Sequence, residues 1–220
     1  MTIYRIENIA KDVRIALDRN GSSEALSEIG DVDTLTIDEI IISKIIEGIK
    51  HVHSTAPAYL LDGATSFAGT VNWGDKESGW ILLPNDFMRF VSFKMDDWSR
   101  PVYSCSTTDD IEYEKQSSRF KGLRGTSQKP LCFIAIRPEE RALESYSSGR
   151  VLEFYSSKST DAEVEMATYL PYPQIESDSV KICSRCYNAV IYTIAALVLI
   201  TFGDAEKSNV FNELAKSSLI

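Results

Sequence analysis

The sequence predicts an α+β protein, mainly a helical bundle with a small antiparallel β-sheet or barrel domain inserted into it. Three observations predict this class. Apolar residues recur every three to four positions towards both ends of the chain, as in helices that bury one face. Between about residues 64 and 175 the period shortens, and β-branched and aromatic runs alternate with clusters of Gly, Pro, Ser and Asp. A long apolar stretch then resumes the helical pattern. The expected organisation is 1–63 for the N-terminal helices, 64–175 for the inserted β domain, and 176–220 for C-terminal helices that complete the bundle.

In order along the chain, Ile3, Ile6, Ile9, Val13 and Leu17 predict an amphipathic helix that stops at Asn20-Gly21. After an acidic linker around Gly30-Asp31, Thr36 and Glu39 have the spacing of a capping box, in which each side chain serves the other's backbone donor. The helix that follows carries Ile37, Ile41, Ile45, Ile49 and Val52, widened by Ile42 and Ile46, and ends before Pro57. So many isoleucines call for burial on more than one side.

In the middle region, Thr70 to Trp73 and Trp80 to Leu83 flank Gly74 to Gly79, the signature of a hairpin. Further strands are predicted at Phe90 to Lys94, Leu131 to Ile136, Ala142 to Tyr146, Val151 to Tyr155 and Glu163 to Tyr169. Ser147-Ser148-Gly149 is a tight-turn signal, so the last three are expected to form an antiparallel meander. Beyond Pro171-Tyr172-Pro173 a helix is predicted from Asp178 to Phe202, with Gly203 as its left-handed cap. A last helix, Ala205 to Ser217, has only a narrow stripe of Val210, Phe211 and Leu214, and is expected to need a partner to order fully.

Composition narrows the function classes. A net charge of −9 argues against a general nucleic-acid binder, because phosphate affinity comes from clustered Lys and Arg. Residues 1–11 lack the basic-then-apolar pattern of a secretory leader, and four scattered cysteines suit free thiols in a reducing compartment. The apolar run Ala189 to Phe202 falls short of the roughly 20 residues a membrane span needs, so a buried helix is expected and no membrane contact.

Catalytic and cofactor motifs are missing from the sequence. No phosphate-cradling glycine loop, nucleophile elbow or paired-histidine zinc helix occurs. His51 and His53 lie two steps apart on a helix and point to different faces. Cys183-Ser184-Arg185-Cys186 is a single C-x-x-C expected inside a helix, where its thiols act as small apolar groups. The acid pairs Asp96-Asp97, Asp109-Asp110 and Glu139-Glu140 read as solvated loop residues. The expectation is a non-enzyme without metal or cofactor.

One segment departs from the global charge. Lys115, Arg119, Lys121, Arg124 and Lys129 fall in fifteen residues without an acid, with Gly122 and Gly125 expected to make the stretch pliable. Two readings stand: a loop that touches DNA phosphates or an acidic neighbour, and a solvated loop.

Two phrases carry a family resemblance. Ile81-Leu82-Leu83-Pro84-Asn85-Asp86-Phe87-Met88-Arg89-Phe90 is similar to the entry phrase "LP-x-D-[FY]-x-R-L" of the head-to-tail adaptor proteins of short-tailed phages. The ending, Tyr169-Leu170-Pro171, a long helix, Thr201-Phe202-Gly203-Asp204 and a final helix with Phe211, Leu214 and Ala215, is similar to the adaptor ending. The version it most resembles is that of crAss-like phages of gut Bacteroidales. The chain departs from the family at Phe202, where Gly or Thr is usual, and lacks the usual Tyr between Phe211 and Leu219.

The resemblance implies a structural virion protein at the head-tail junction, assembled in the host cytoplasm as a ring, a dodecamer, through which DNA passes. It implies subunit contacts through Ile41, Ile42, Ile45 and Ile49, and portal contacts through Val210, Phe211, Leu214, Leu219 and Ile220. On local charge alone, and not on the resemblance, Lys115, Arg119, Lys121, Arg124 and Lys129 are expected to meet DNA or a neighbouring ring. Partners are then sister copies, the portal, downstream tail proteins and DNA. The competing readings are another neck or tail-completion ring, a nucleic-acid-binding module, and an enzyme with a carboxylate site on the sheet domain.

Overall fold

The structure, a computed structural model, describes residues 1–17, 36–62, 64–67, 69–74, 78–137, 149–155 and 161–220. The chain divides into two units, residues 1–63 with 172–220, and residues 64–171. The first unit opens with β1 (Thr2–Arg5), α1 (Ile6–Ala16) and α2 (Ile37–Thr55). The second holds β2 (Thr65–Ser66), β3 (Asn72–Trp73), β4 (Ser78–Leu82), β5 (Phe87–Met95), β6 (Ser106–Thr107), α3 (Ile111–Lys115), β7 (Leu131–Ile136), β8 (Arg150–Tyr155) and β9 (Val164–Pro171). The first unit is completed by β10 (Ser179–Ile182), α4 (Tyr187–Thr201) and α5 (Ala205–Ser217).

Local chemistry accounts for the helix ends of the first unit. The Glu39 N–H donates to Thr36 Oγ1 at 3.2 Å while the Thr36 N–H donates to Glu39 Oε2 at 2.7 Å, the predicted reciprocal cap of α2. At the end of α4, Gly203 takes a φ of +79° and the N–H groups of Gly203 and Asp204 donate to the carbonyls of Ile200 and Leu199. These two bonds form a Schellman turn, and Asp204 then caps α5 by accepting from the Lys207 N–H.

The core of this unit surrounds α4. Ala189, Val190, Ile191, Ile194, Ala195, Ala196, Val198 and Leu199 are buried on successive turns, against α1, α2 and α5. The stretch Ser184–Thr201 is long and apolar enough to cross a membrane by composition, and 56% of it is buried inside the chain. Gly48 allows α2 to approach α4 closely, since a Cβ there would lie 2.5 Å from Ile194 Cγ1.

Two predicted helical stretches in this unit are strands. Thr2–Arg5 pairs antiparallel with Ser179–Ile182, and Ile3, expected on the buried face of a helix, is 66% exposed. A helix cannot start at Asp178, because Ser177 and Asp178 both have positive φ in a tight turn closed by reciprocal bonds between Glu176 and Ser179. The C-x-x-C therefore lies at the junction of β10 and α4, in a 3₁₀ turn at Ser184–Cys186, and not within a long helix.

In the second unit two sheets share one core. Their orders are β2-β9-β5 and β3-β4-β8-β7-β6, with every pair antiparallel except β6 with β7. Strand alternation turns Leu152 and Phe154 of β8 into this core, among Phe93, Trp98, Ile81 and Cys132, and turns Glu153 and Tyr155 to the opposite face. The predicted hairpin is present as β3–β4, pairing Asn72 with Trp80 and Trp73 with Gly79; residues 75–77 of its tip lie outside the described residues.

The predicted meander is not formed. Ala142 to Tyr146 lies outside the described residues, as do Ser147 and Ser148, while β8 pairs with β4 and β7 and β9 pairs with β2 and β5 in the other sheet. The expected fold class is corrected with it. Helix makes up about 40% of the structure and strand 29%, in three sheets with five α-helices, so among the described residues the protein is α+β and not mainly a helical bundle. The helices signal themselves by short-range periodicity, whereas the strands acquire their weight from partners far along the chain.

Candidate functional site

The outer face of the five-stranded sheet is built around one buried carboxylate. Glu153 is 5% exposed and stands in register with Trp80 of β4 and Phe133 of β7. Asp110 caps the short helix α3 by accepting from the Glu112 N–H at 2.9 Å, and α3 lays Tyr113 over Phe133 with ring centroids 5.3 Å apart. The hydroxyls of Tyr113 and Tyr155 each donate to Glu153 Oε2 at 3.1 Å, and the Arg137 guanidinium donates to Oε1 at 3.0 Å while lying over the Trp80 ring. A buried charge persists only when so fully hydrogen-bonded. Burial, and then the adjacent Glu153 charge, pushes both phenols above the ordinary tyrosine range, so they remain donors.

This network anchors the basic segment. Gln116, 3% exposed, ties its two ends: its amide donates to the Glu112 carbonyl at 2.7 Å, and its carbonyl accepts from the Gly125 N–H at 2.9 Å. A 3₁₀ turn spans Lys121–Leu123, Thr126 and Lys129 exchange backbone bonds, and the Ser99 N–H donates to the Ser127 carbonyl. The expected pliable loop is therefore a folded ledge. Gly125 serves close approach, since a Cβ there would meet the Tyr155 carbonyl at 2.9 Å, whereas Gly122 has nothing within 4 Å.

The ledge presents a mixed surface. Lys115 is ion-paired with Glu112, Arg119, Lys121 and Lys129 are exposed, and Arg124 is half-buried. Phe120 and Leu123 point outwards at 75% and 51% exposure. A cleft of about 580 Å³, which shares Lys129 with the ledge, is lined by Arg100, Tyr103, Glu112, Lys129, Leu131 and Phe133.

The other expected contact residues separate into buried and exposed sets. Ile41, Ile45 and Ile49 are fully buried in the chain's own core, so of the four isoleucines only Ile42, 40% exposed, can meet a neighbour. On α5, Val210 and Leu214 are exposed, Phe211 is half-buried against Tyr192, and Ser208 is bonded to the Ala196 carbonyl. Leu219 is half-buried with its carbonyl near the Tyr59 hydroxyl, and Ile220 is almost fully exposed.

The residues that raise catalytic or metal chemistry hold structural positions. His53 is buried and its Nε2 accepts from the Cys183 N–H at 3.2 Å. All four cysteines are free thiols, and Cys186 lies against the Leu60 carbonyl. Burial pushes Cys105 up to about 12 and Cys132 well above the ordinary thiol range, so neither is a thiolate at neutral pH. Asp96 accepts from the Glu163 N–H, Asp110 caps α3, and Glu139-Glu140 lies outside the described residues. Among the described residues no group of three His, Cys, Asp or Glu is placed to hold a metal.

The first phrase behind the family resemblance meets the opening residues of the second, Tyr169 to Pro171, while the rest of the second belongs to the other unit. The Tyr169 hydroxyl donates to Asp86 Oδ1 at 2.8 Å, the Phe87 and Tyr169 rings stack at 5.6 Å, and Phe87 is in register with Pro171. What the sequence did not announce is the Glu153 network: alternation places Glu153 opposite Leu152 and Phe154, the position of a solvated residue, and the helix that buries it comes from forty residues away.

Fold and surfaces together define a two-unit α+β protein with an anchored basic ledge. No protein-family model matches the chain, and no curated protein matches it.

Proposed function

We propose that the chain is a non-enzymatic structural protein of a tailed-phage particle, a subunit of the portal-to-tail adaptor ring through which DNA passes. The reading rests on the likeness of the two phrases, and it is supported by the junction of Asp86 and Phe87 with Tyr169 and Pro171, where the first phrase packs on the opening residues of the second.

The exposed residues of α5, Val210 and Leu214, with Ile220 beyond it, supply an apolar surface for the portal. Ile42 and the ledge at 119–129 supply candidate contacts between copies or with a ring below. The acidic balance of the chain suits a bore in which DNA must slide without sticking.

Electron microscopy of the purified chain, alone and mixed with the portal, tests the reading. A closed ring seated on the portal is the expected result. A chain that stays monomeric beside the portal, or turns over a substrate, overturns it.

A further inference from the structure

We infer that the basic ledge and its cleft are a docking surface for a second copy of this chain, met by a different, acidic surface of that copy. This rests on the ring reading above and names the surface such a ring would use. Three observations carry it.

The surface is apolar as well as basic. Of the five large apolar side chains exposed among the described residues of the sheet unit, Tyr103, Ile111, Phe120 and Leu123 fall between positions 103 and 123 of the sequence, and only Ile136 does not. Aromatic rings could stack on bases, but exposed Ile111 and Leu123 gain nothing from a nucleotide and much from a protein neighbour.

The ledge is also tied down by the chain's own hydrogen bonds. Gln116 clamps it at Gly125, and Tyr113 ties α3 to Glu153 beneath it. A knob such as Phe120, held on an ordered support, docks without the entropy cost of folding a loop.

The charge pattern selects the partner and the symmetry. Residues 115–129 carry five cations and no acid in a chain of net charge −9, so the remainder carries −14. Each copy thus carries, outside the ledge, a surplus of carboxylates opposite in sign to the ledge of another. The ledge cannot pair with itself about a twofold axis, because that brings Arg119 and Lys129 against their own kind. The contact is heterologous, the type that closes into rings.

Sedimentation of the full chain over a range of concentration and salt tests this. Wild type is expected to self-associate, at least tenfold more weakly in high salt. Arg119→Ser/Phe120→Ser/Arg124→Ser is expected to stay monomeric alone yet be recruited by wild type, because it keeps the acidic surface. Phe120→Ser alone, at a position 75% exposed, should weaken association with an unchanged melting curve, which separates docking from misfolding. Association of the triple variant equal to wild type overturns the ledge but leaves the ring reading standing. A wild type that remains monomeric overturns the inference, as does a triple variant that wild type does not recruit; a monomer that also fails to assemble on the portal overturns the ring reading with it. Ledge-dependent binding of labelled single-stranded oligothymidine by a monomeric wild type would reassign the surface to nucleic acid.

Discussion

The two units differ in the most costly polar group that each keeps buried. In the helical unit His53, Thr193 and Ser208 are neutral, and each has a hydrogen bond to a backbone group: the Cys183 N–H, the Ala189 carbonyl and the Ala196 carbonyl. In the sheet unit a full charge, Glu153, is held by an arginine and two phenols. Losing its partner costs a buried neutral group about 1–3 kcal/mol, whereas breaking a buried ion pair costs about 3–5 kcal/mol. The sheet unit is therefore the more fragile of the two to polar substitution, and its network supports the ledge proposed for docking.

All three tryptophans, Trp73, Trp80 and Trp98, lie in the sheet unit, so fluorescence reports that unit while far-ultraviolet circular dichroism weights the helical one. The largest expected effect is at the aromatic centre. Phe154, fully buried between Trp73, Phe93 and Trp98, should cost about 3–5 kcal/mol on truncation to Ala, read as a lower midpoint of the fluorescence transition in denaturant.

Next comes the charge. Arg137→Met should cost about 2–3 kcal/mol, less than the ~3–5 for breaking a fully buried pair, because Arg137 is about a third exposed and the phenols remain. Adding Glu153→Leu should recover much of the loss. If the double variant is no more stable than the single one, the contrast between the units is wrong.

In the helical unit, packing decides at Gly48. Gly→Ala in an exposed helix gains up to ~1 kcal/mol, but here the new Cβ collides with Ile194, so Gly48→Ala should lower stability by about 1–2 kcal/mol in urea melts followed by circular dichroism. Stabilisation would show that α2 and α4 are not held this close.

The smallest effect is the acid dependence of the caps. The Thr36 N–H and hydroxyl hold Glu39 below its ordinary value of 4.5, and the Lys207 N–H likewise lowers Asp204. A lowered folded pKa means a contribution present above the ordinary carboxylate range and lost as pH falls through the folded value. Glu39→Gln should flatten that part of the acid titration of helicity and leave tryptophan fluorescence unchanged.

Legibility followed the range of the interactions. The Thr36–Glu39 cap, the Gly203 turn, the span Ala205–Ser217 and the strand Leu131–Ile136 were all readable, because the residues responsible lie within a few positions of each other. The basic residues were visible as a cluster, but their order was not, since Gln116 and Gly125 look like any loop residues until Tyr155 lies against them.

By itself the sequence determined which stretches cap, turn and bury one face, through hydrogen bonds and periodicity that need only near neighbours. Tertiary structure alone decided that Thr2–Arg5 becomes a strand beside Ser179–Ile182, that β8 and β9 belong to different sheets, and that Glu153 is buried. Each of those outcomes depends on groups far apart in the chain, whose meeting no local pattern specifies.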